Sequence, residues 1–427
     1  QFPKGKLYGR DNQLATLTDV YNNIGKPSVP SIVLVSGYSG AGKSTLVKHA
    51  KRSIKRKDLC FISGKFEHLQ QTKPLSSIEA ALAEYSNEIV KQGRAKILQT
   101  RWLIIQAIKS DVRVLTETFP CLSKIIGELT STPAEVHFRA AQNRFKFIFQ
   151  MFVRAIATTS NPLVLFLDDL QWADELSLRI ISALIRDTEN TGFLFIGSYR
   201  DNEVAPSDLL PILINELETS KVQVTNINVS SISKEDVNNL IADTVGMPQR
   251  LTKSLSDIVY QKTSGNILLV AQFLESLLDE DLLMFSLDHS TWMWDSKGID
   301  AREIADDAGV LLSKKILQLP RGCQYGMKLL ACIGSKCDAS TLMFIINKGK
   351  DLEESIAGKM LDFAVDEGLL RKEGPNYVFV HDQIQQAAYS LIPENERGSL
   401  HRQVGHLILI SLTENQDDDL FFTAVSQ

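Results

Sequence analysis

Short apolar runs alternate with longer amphipathic stretches through the first half of the chain. Residues 31–36, 59–63, 162–168, 193–199 and 222–229 are rich in Val, Ile, Leu and Phe, and helical patterns separate them. That alternation predicts a parallel sheet with crossover helices, an α/β class. The stretch from about Leu75 to Ala157 is long and helical in spacing, with Pro120 and Pro133 as its strong breakers. It reads as a helical insertion between the second and third core strands. After Ser230 the period changes from strand–helix to helix–helix. Ser233, with Glu235 and Asp236 behind it, reads as a capped helix start, and helices continue to about Asp279. Leu282–Phe285 and Thr291–Trp294 flank Asp288-His289-Ser290 as a hairpin. Residues 309–370 read as short helices, and Gly368 to Val380 as a second hairpin. Three helices with a hairpin predict a winged-helix unit. The amphipathic tail from Arg397 to Thr413 turns acidic at Asp417–Asp419.

These patterns divide the chain into four. Residues 1–220 form the nucleotide-binding domain, with its helical insertion at about 75–157. Residues 221–298 form a helical lid, 299–395 the winged helix, and 396–427 the start of a helical array. No internal repeat is visible.

The second half of the first strand changes the picture from fold to chemistry. Ile32-Val33-Leu34-Val35 leads into Gly37-Tyr38-Ser39-Gly40-Ala41-Gly42-Lys43-Ser44-Thr45. A buried strand, a glycine-rich loop and a helix start in that order make a P-loop. The glycines let the backbone wrap an anion, and the amides and helix N-terminus face it. Lys43 supplies a point charge for the β- and γ-phosphates, and the Ser44 hydroxyl a ligand for Mg²⁺. Leu163 to Leu167 is an apolar strand ending in Asp168 and Asp169, the Walker B pattern. Asp168 is expected to hold Mg²⁺ through water, and Asp169 to orient or deprotonate the attacking water. A helix cap is the plainer reading of either carboxylate. Arg200 follows the next apolar strand and suits a γ-phosphate sensor, its fork matching phosphate oxygens. The plainer reading is a salt bridge to Asp201 or Glu203. Leu7 to Asp11 forms a short apolar lead-in that can pack on adenine. His381 stands between the second hairpin and a helix, where a capping or hydrogen-bonding role is the ordinary one. The basic run from Lys48 to Lys57 reads as a solvated face.

Composition narrows the partners. The 427 residues carry a net charge of −5, which argues against a nucleic-acid reader. Cys60, Cys121, Cys323, Cys332 and Cys337 form no C-x-x-C pair, consistent with reduced thiols and a cytoplasmic setting. No apolar run reaches the ~18 residues of a membrane helix. The chain starts at Gln1 and reads as a fragment of something longer.

The segments LYGRDNQL, GYSGAGKST, LVLFLDDLQWAD, FIGSYRDNEV, KTSGN and FVHDQIQQAAY together resemble the STAND class of signal-transduction P-loop ATPases. The nearer likeness is to the ATPase segment of large multi-sensor signalling kinases. In those, a Ser/Thr kinase domain precedes the ATPase, and helical repeats with sensor and histidine-kinase modules follow. The class is related to apoptosome and NOD-like receptor ATPases and to origin-recognition-type AAA+ proteins. The resemblance implies an ATP/ADP switch with Mg²⁺, closed with ADP and open with ATP, forming a homo-oligomer or relaying to attached kinase and sensor domains. It matches Gly9 and Arg10 to the adenine-side motif and Arg200 to the sensor arginine. It matches His381 to a histidine on the ADP β-phosphate. Two residues depart from the pattern. Ile267 stands where the family's lid has an adenine-packing proline, and Asp169 stands where many relatives have Glu, which implies slow turnover. A DNA-dependent AAA+ loader, a non-hydrolysing scaffold and a metabolic kinase are the rival readings.

Overall fold

The computed structural model describes residues 5–26, 32–54, 58–67, 74–127, 138–220, 222–301, 308–350 and 361–415. The acidic Asp417–Asp419, Pro133 and the end of the basic run at residues 55–57 lie outside them. The chain divides into two compact units. Gly9–Phe66 with Pro74–Ser230 is the first, and Ser231 onward with the N-terminal residues through Tyr8 and the segment beginning at Glu67 is the second.

The first unit is built on five parallel strands: β1 Ile32–Ser36, β2 Cys60–Lys65, β3 Leu163–Asp168, β4 Phe193–Tyr199 and β5 Val224–Asn228. Their order across the sheet is β2-β3-β4-β1-β5. β1, β3 and β4 are central and buried along almost their whole length, so they read as unbroken apolar runs. β5 pairs with β1 from Ile32↔Val224 to Ser36↔Asn228. The sheet-bearing unit therefore ends at Ser230, ten residues beyond the boundary expected at 220.

The stretch between β2 and β3 is helical, as its spacing predicts. It holds helices Ser76–Lys91, Arg94–Ile108, Val112–Thr118, Ser123–Ile126 and Phe138–Ile156. Phe119, Phe145, Phe149 and Phe152 stack in its core, with neighbouring ring centroids 5.5–6.1 Å apart. Helix Ser76–Lys91 seals the edge strand β2. The Ser63 amide donates to Glu84 Oε2 at 2.8 Å, and Ser77 Oγ donates to the Lys65 carbonyl at 2.7 Å. Gly64 permits that approach, because an added Cβ would overlap the Ser77 carbonyl.

The second unit holds two apolar cores. In one, Tyr8 packs with Ile232, Val237, Leu255, Val259, Phe273 and Ile299. Ser233 caps helix Lys234–Val245 through the Asp236 amide at 3.1 Å. Here β6 Leu283–Ser286 and β7 Thr291–Trp294 form the expected hairpin. The other core gathers Leu312, Met327, Leu330, Leu342, Ile384 and Val404. Its three-stranded antiparallel sheet runs β8-β10-β9, with β8 Lys336–Asp338, β9 Leu370–Glu373 and β10 Asn376–Phe379. The hairpin β9–β10 matches the pattern reading. β8 is three residues long and too short to leave a sequence signal.

Candidate functional site

β1 ends at Ser36, and helix Lys43–Ser53 begins seven residues later. The intervening loop takes positive φ at Gly37, Gly40 and Gly42, with values of 147°, 77° and 94°. Gly37 is also pressed against the chain after β5, where a Cβ would overlap the Val229 carbonyl. Lys43 is 6% exposed, and its Nζ donates to the Gly37 carbonyl at 2.7 Å and the Tyr38 carbonyl at 3.0 Å. The ammonium thus lies folded back over the loop that precedes it. Burial pushes its pKa below the ordinary lysine value, while the Asp169 carboxylate opposes that shift. Tyr38 is 57% exposed, and Thr45 is exposed, at the rim.

β4 is inserted between β1 and β3, yet the strand ends converge. Ser44 Oγ donates to Asp168 Oδ2 at 2.6 Å. Ser198, on β4, donates to Asp168 Oδ1, and its oxygen accepts from the Asp169 amide at 3.3 Å. Ser198 escaped sequence reading, although it is the polar break in FLFIGSY. Asp169 sits in the left-handed region at φ 58°. Its Oδ1 accepts from Gln171 Nε2 at 3.0 Å and pairs with Arg200 Nε at 3.4 Å. Its Oδ2 lies 3.5 Å from Lys65 Nζ. Lys65 stands opposite Asp168 in the β2–β3 register, which only the pairing reveals.

Arg200 is 3% exposed and pairs with Glu203 Oε1 at 2.6 Å through Nη1. Its guanidinium lies over the Trp172 ring, 4.6 Å from the centroid. Gln171 Oε1 accepts from the Arg200 amide at 3.1 Å. The DLQW segment therefore braces the arginine from two sides. Asp174, in the same motif, caps helix Glu175–Ile185 through the Ser177 amide at 2.9 Å.

Gly9 has φ 62°, and Arg10 is buried. Arg10 Nη2 donates to the Ala41 carbonyl at 3.1 Å and to the Ser230 carbonyl, and Nη1 to the Gly9 carbonyl at 3.3 Å. Two expected residues belong to the second unit. Ile267 opens helix Ile267–Asp279 and packs on the Tyr8–Phe273 core. His381 is the N-cap of helix Asp382–Ser390, with Nδ1 accepting from the Gln383 amide at 3.2 Å.

Magnesium prefers hard oxygen ligands and keeps waters and substrate phosphates in its shell. The hydroxyl of Ser44 and the carboxylate of Asp168, already within hydrogen-bond distance, form a donor set of that kind. Among the described residues no cluster of three or more His, Cys, Asp or Glu is placed to hold a metal ion. A separate cavity of about 390 Å³ lies between the start of β2 and the insertion helices, lined by Cys60, Glu84, Glu88 and Lys96 among others. It shares no residue with the phosphate loop. Burial pushes the Cys60 thiol up to about 12. No helix of the described residues is long and apolar enough to cross a membrane.

Residues 6–196 match the AAA ATPase domain family. The chain is 25% identical to hybrid signal transduction histidine kinase G of Dictyostelium discoideum over 94% of its own length, but it spans only 14% of that protein. It is 24% identical to histidine protein kinase 1 of Candida albicans over 44% of its length, or 8% of the relative. Among solved structures it is similar to a STAND protein with a tetratricopeptide repeat sensor from Pyrococcus horikoshii. The TM-score is 0.50 at 13% identity, covering 99% of this chain and 48% of that one.

Proposed function

We propose, from the premise that this chain is an AAA-type P-loop ATPase segment with the fold of a STAND protein, that it is a slow ATP-hydrolysing switch. The observation that carries the reading is the convergence of Lys43, the Ser44–Asp168 pair and the Asp169–Arg200 pair at the C-terminal ends of three strands. Ligands of open α/β sheets bind at such strand ends. The loop amides from Gly37 to Thr45 receive the phosphates, and Lys43 exchanges its two carbonyl partners for phosphate oxygens. Ser44 and Asp168 would hold Mg²⁺, which would supply positive charge to neutralise the terminal phosphates. Asp169 orients the attacking water and takes its proton. Arg200 leaves Glu203 for the γ-phosphate. Turnover is slow because Asp169 must first loosen from Lys65, Gln171 and Arg200.

The state of the nucleotide then sets the state of the module. Residues 231–298 act as the lid. Residues 299–395, with three antiparallel strands and the helices around them, act as a winged helix whose His381 reads the diphosphate. The ATP form self-associates or relays to attached sensor modules and to a kinase domain, the Dictyostelium and Candida relatives being named histidine kinases. Moving such a switch from mostly closed to mostly open takes about 5.5 kcal/mol of differential binding. Charge-assisted bonds from Lys43 and Arg200 to a γ-phosphate are of the right kind to supply much of it.

Phosphate release from ATP by the purified chain tests this. Wild type should turn over slowly with Mg²⁺, and Lys43→Ala should lose both hydrolysis and ATP affinity, the latter by tenfold or more, about 1.4 kcal/mol per decade. Unchanged ATP affinity in Lys43→Ala rejects the reading. ATP binding without any phosphate release would favour the non-hydrolysing scaffold, for which the engaged state of Asp169 and Arg200 already speaks.

A further inference from the structure

We propose that Arg10 is a positioning residue for the phosphate loop and not a contact to the adenine ring. The inference rests on reading Gly37 to Thr45 as the phosphate site, and it reassigns a residue that family resemblance puts on the base.

Arg10 is 5% exposed, and its Nη2 donates to two backbone carbonyls from distant parts of the sequence. One belongs to Ala41, inside the loop, at 3.1 Å, and the other to Ser230, just beyond β5. Ser230 is itself on a fixed stretch of chain. The neighbouring Val229 amide donates to the Ser36 carbonyl at 2.8 Å, and Val229 presses on Gly37. Arg10 is thus a strut between the end of the sheet and the crown of the loop.

The consequence follows from peptide geometry. In a trans peptide the carbonyl and the next N–H point in opposite directions. Holding the Ala41 carbonyl on one side therefore aims the Gly42 N–H to the other. Gly42 is left-handed, at φ 94°, and its carbonyl accepts the Leu46 amide at 2.9 Å as the helix opens. With both flanking peptides held, the Gly42 amide is fixed before any anion arrives. A phosphate then meets a pre-aimed donor, which lowers the ordering cost of binding.

A strut and a base contact predict different losses. Titrations of the 427-residue chain with ADP and with inorganic tripolyphosphate, which has no base, separate them. Under this proposal Arg10→Ala weakens both by the same factor, on the order of tenfold. Millimolar guanidinium chloride should restore both by refilling the cleft. A loss confined to ADP, with tripolyphosphate binding unchanged, assigns Arg10 to the base and overturns the proposal. Equal affinity of variant and wild type for both ligands overturns it too. Should Arg10→Ala not fold, Arg10→Met, which keeps the apolar stem and has no donor, takes its place with the same two ligands. If wild type binds neither ligand, the phosphate-site reading itself has failed, which is a separate result.

Discussion

At the scale of single residues, the site is a set of ions that already have partners. Arg200 illustrates what sequence could and could not supply. Its position after an apolar strand marked it as facing the phosphate end of the sheet, and Glu203 three residues on was visible as a potential partner. Sequence offered that pair as a surface salt bridge of little energetic weight. In the fold the arginine is 3% exposed and braced on Trp172, while Glu203 stays exposed, so a buried guanidinium meets a carboxylate at the surface. In the proposed switch Glu203 competes with a third phosphate for the same guanidinium. Glu203→Gln should raise affinity for a non-hydrolysable ATP analogue by roughly tenfold while leaving ADP affinity as it is. Calorimetric titration of both ligands decides it, and equal gains for the two would refute the competition. Ser198 and Lys65 were less legible still. A serine in a buried strand and a lysine at a strand end carry no motif. They become site residues only because β4 lies between β1 and β3, and because Lys65 registers with Asp168.

The elements were the most readable level. The five apolar runs match the five parallel strands to within two residues at nearly every end, because buried central strands must be apolar at every position. What the runs could not convey is their order across the sheet, which depends on contacts distant in sequence. They also could not show why the long insertion begins where it does. Helix Ser76–Lys91 is there to close the β2 edge, and its seat depends on a residue with no side chain. Gly64→Ala would drive a methyl into the Ser77 carbonyl. We expect a loss of about 1–3 kcal/mol of stability, as for other overpacked sites, with the phosphate loop's chemistry untouched. Denaturant midpoints of the two proteins test this, and an unchanged midpoint would show that the helix can simply step back.

For the whole molecule, the expected site residues fall in both units. Lys43, Asp168, Asp169, Arg200 and Arg10 belong to the first, while Ile267 and His381 belong to the second. The proposed switch therefore stands or falls on residues whose local roles are ordinary ones. His381 caps a helix through Nδ1, which is how an isolated histidine at that position is expected to behave. If it also reads the nucleotide, His381→Ala should lose ADP retention beyond what a lost cap explains. His381→Asn, which keeps a capping oxygen, serves as the control. Nucleotide content of the purified proteins, by mass spectrometry, is the measurement. Retention equal to wild type in both variants removes the histidine from the mechanism.

The sealed margin of β2 bears on how copies of this chain can meet. A naked strand invites a neighbour's strand to zip alongside it, the usual beginning of fibrils and domain exchange. Here one flank is already buttoned by Glu84 and Ser77, so a foreign backbone would have to displace both before it could anneal. Any reversible clustering triggered by nucleotide turnover is thereby steered away from that flank and toward contacts made by side chains, which can be undone.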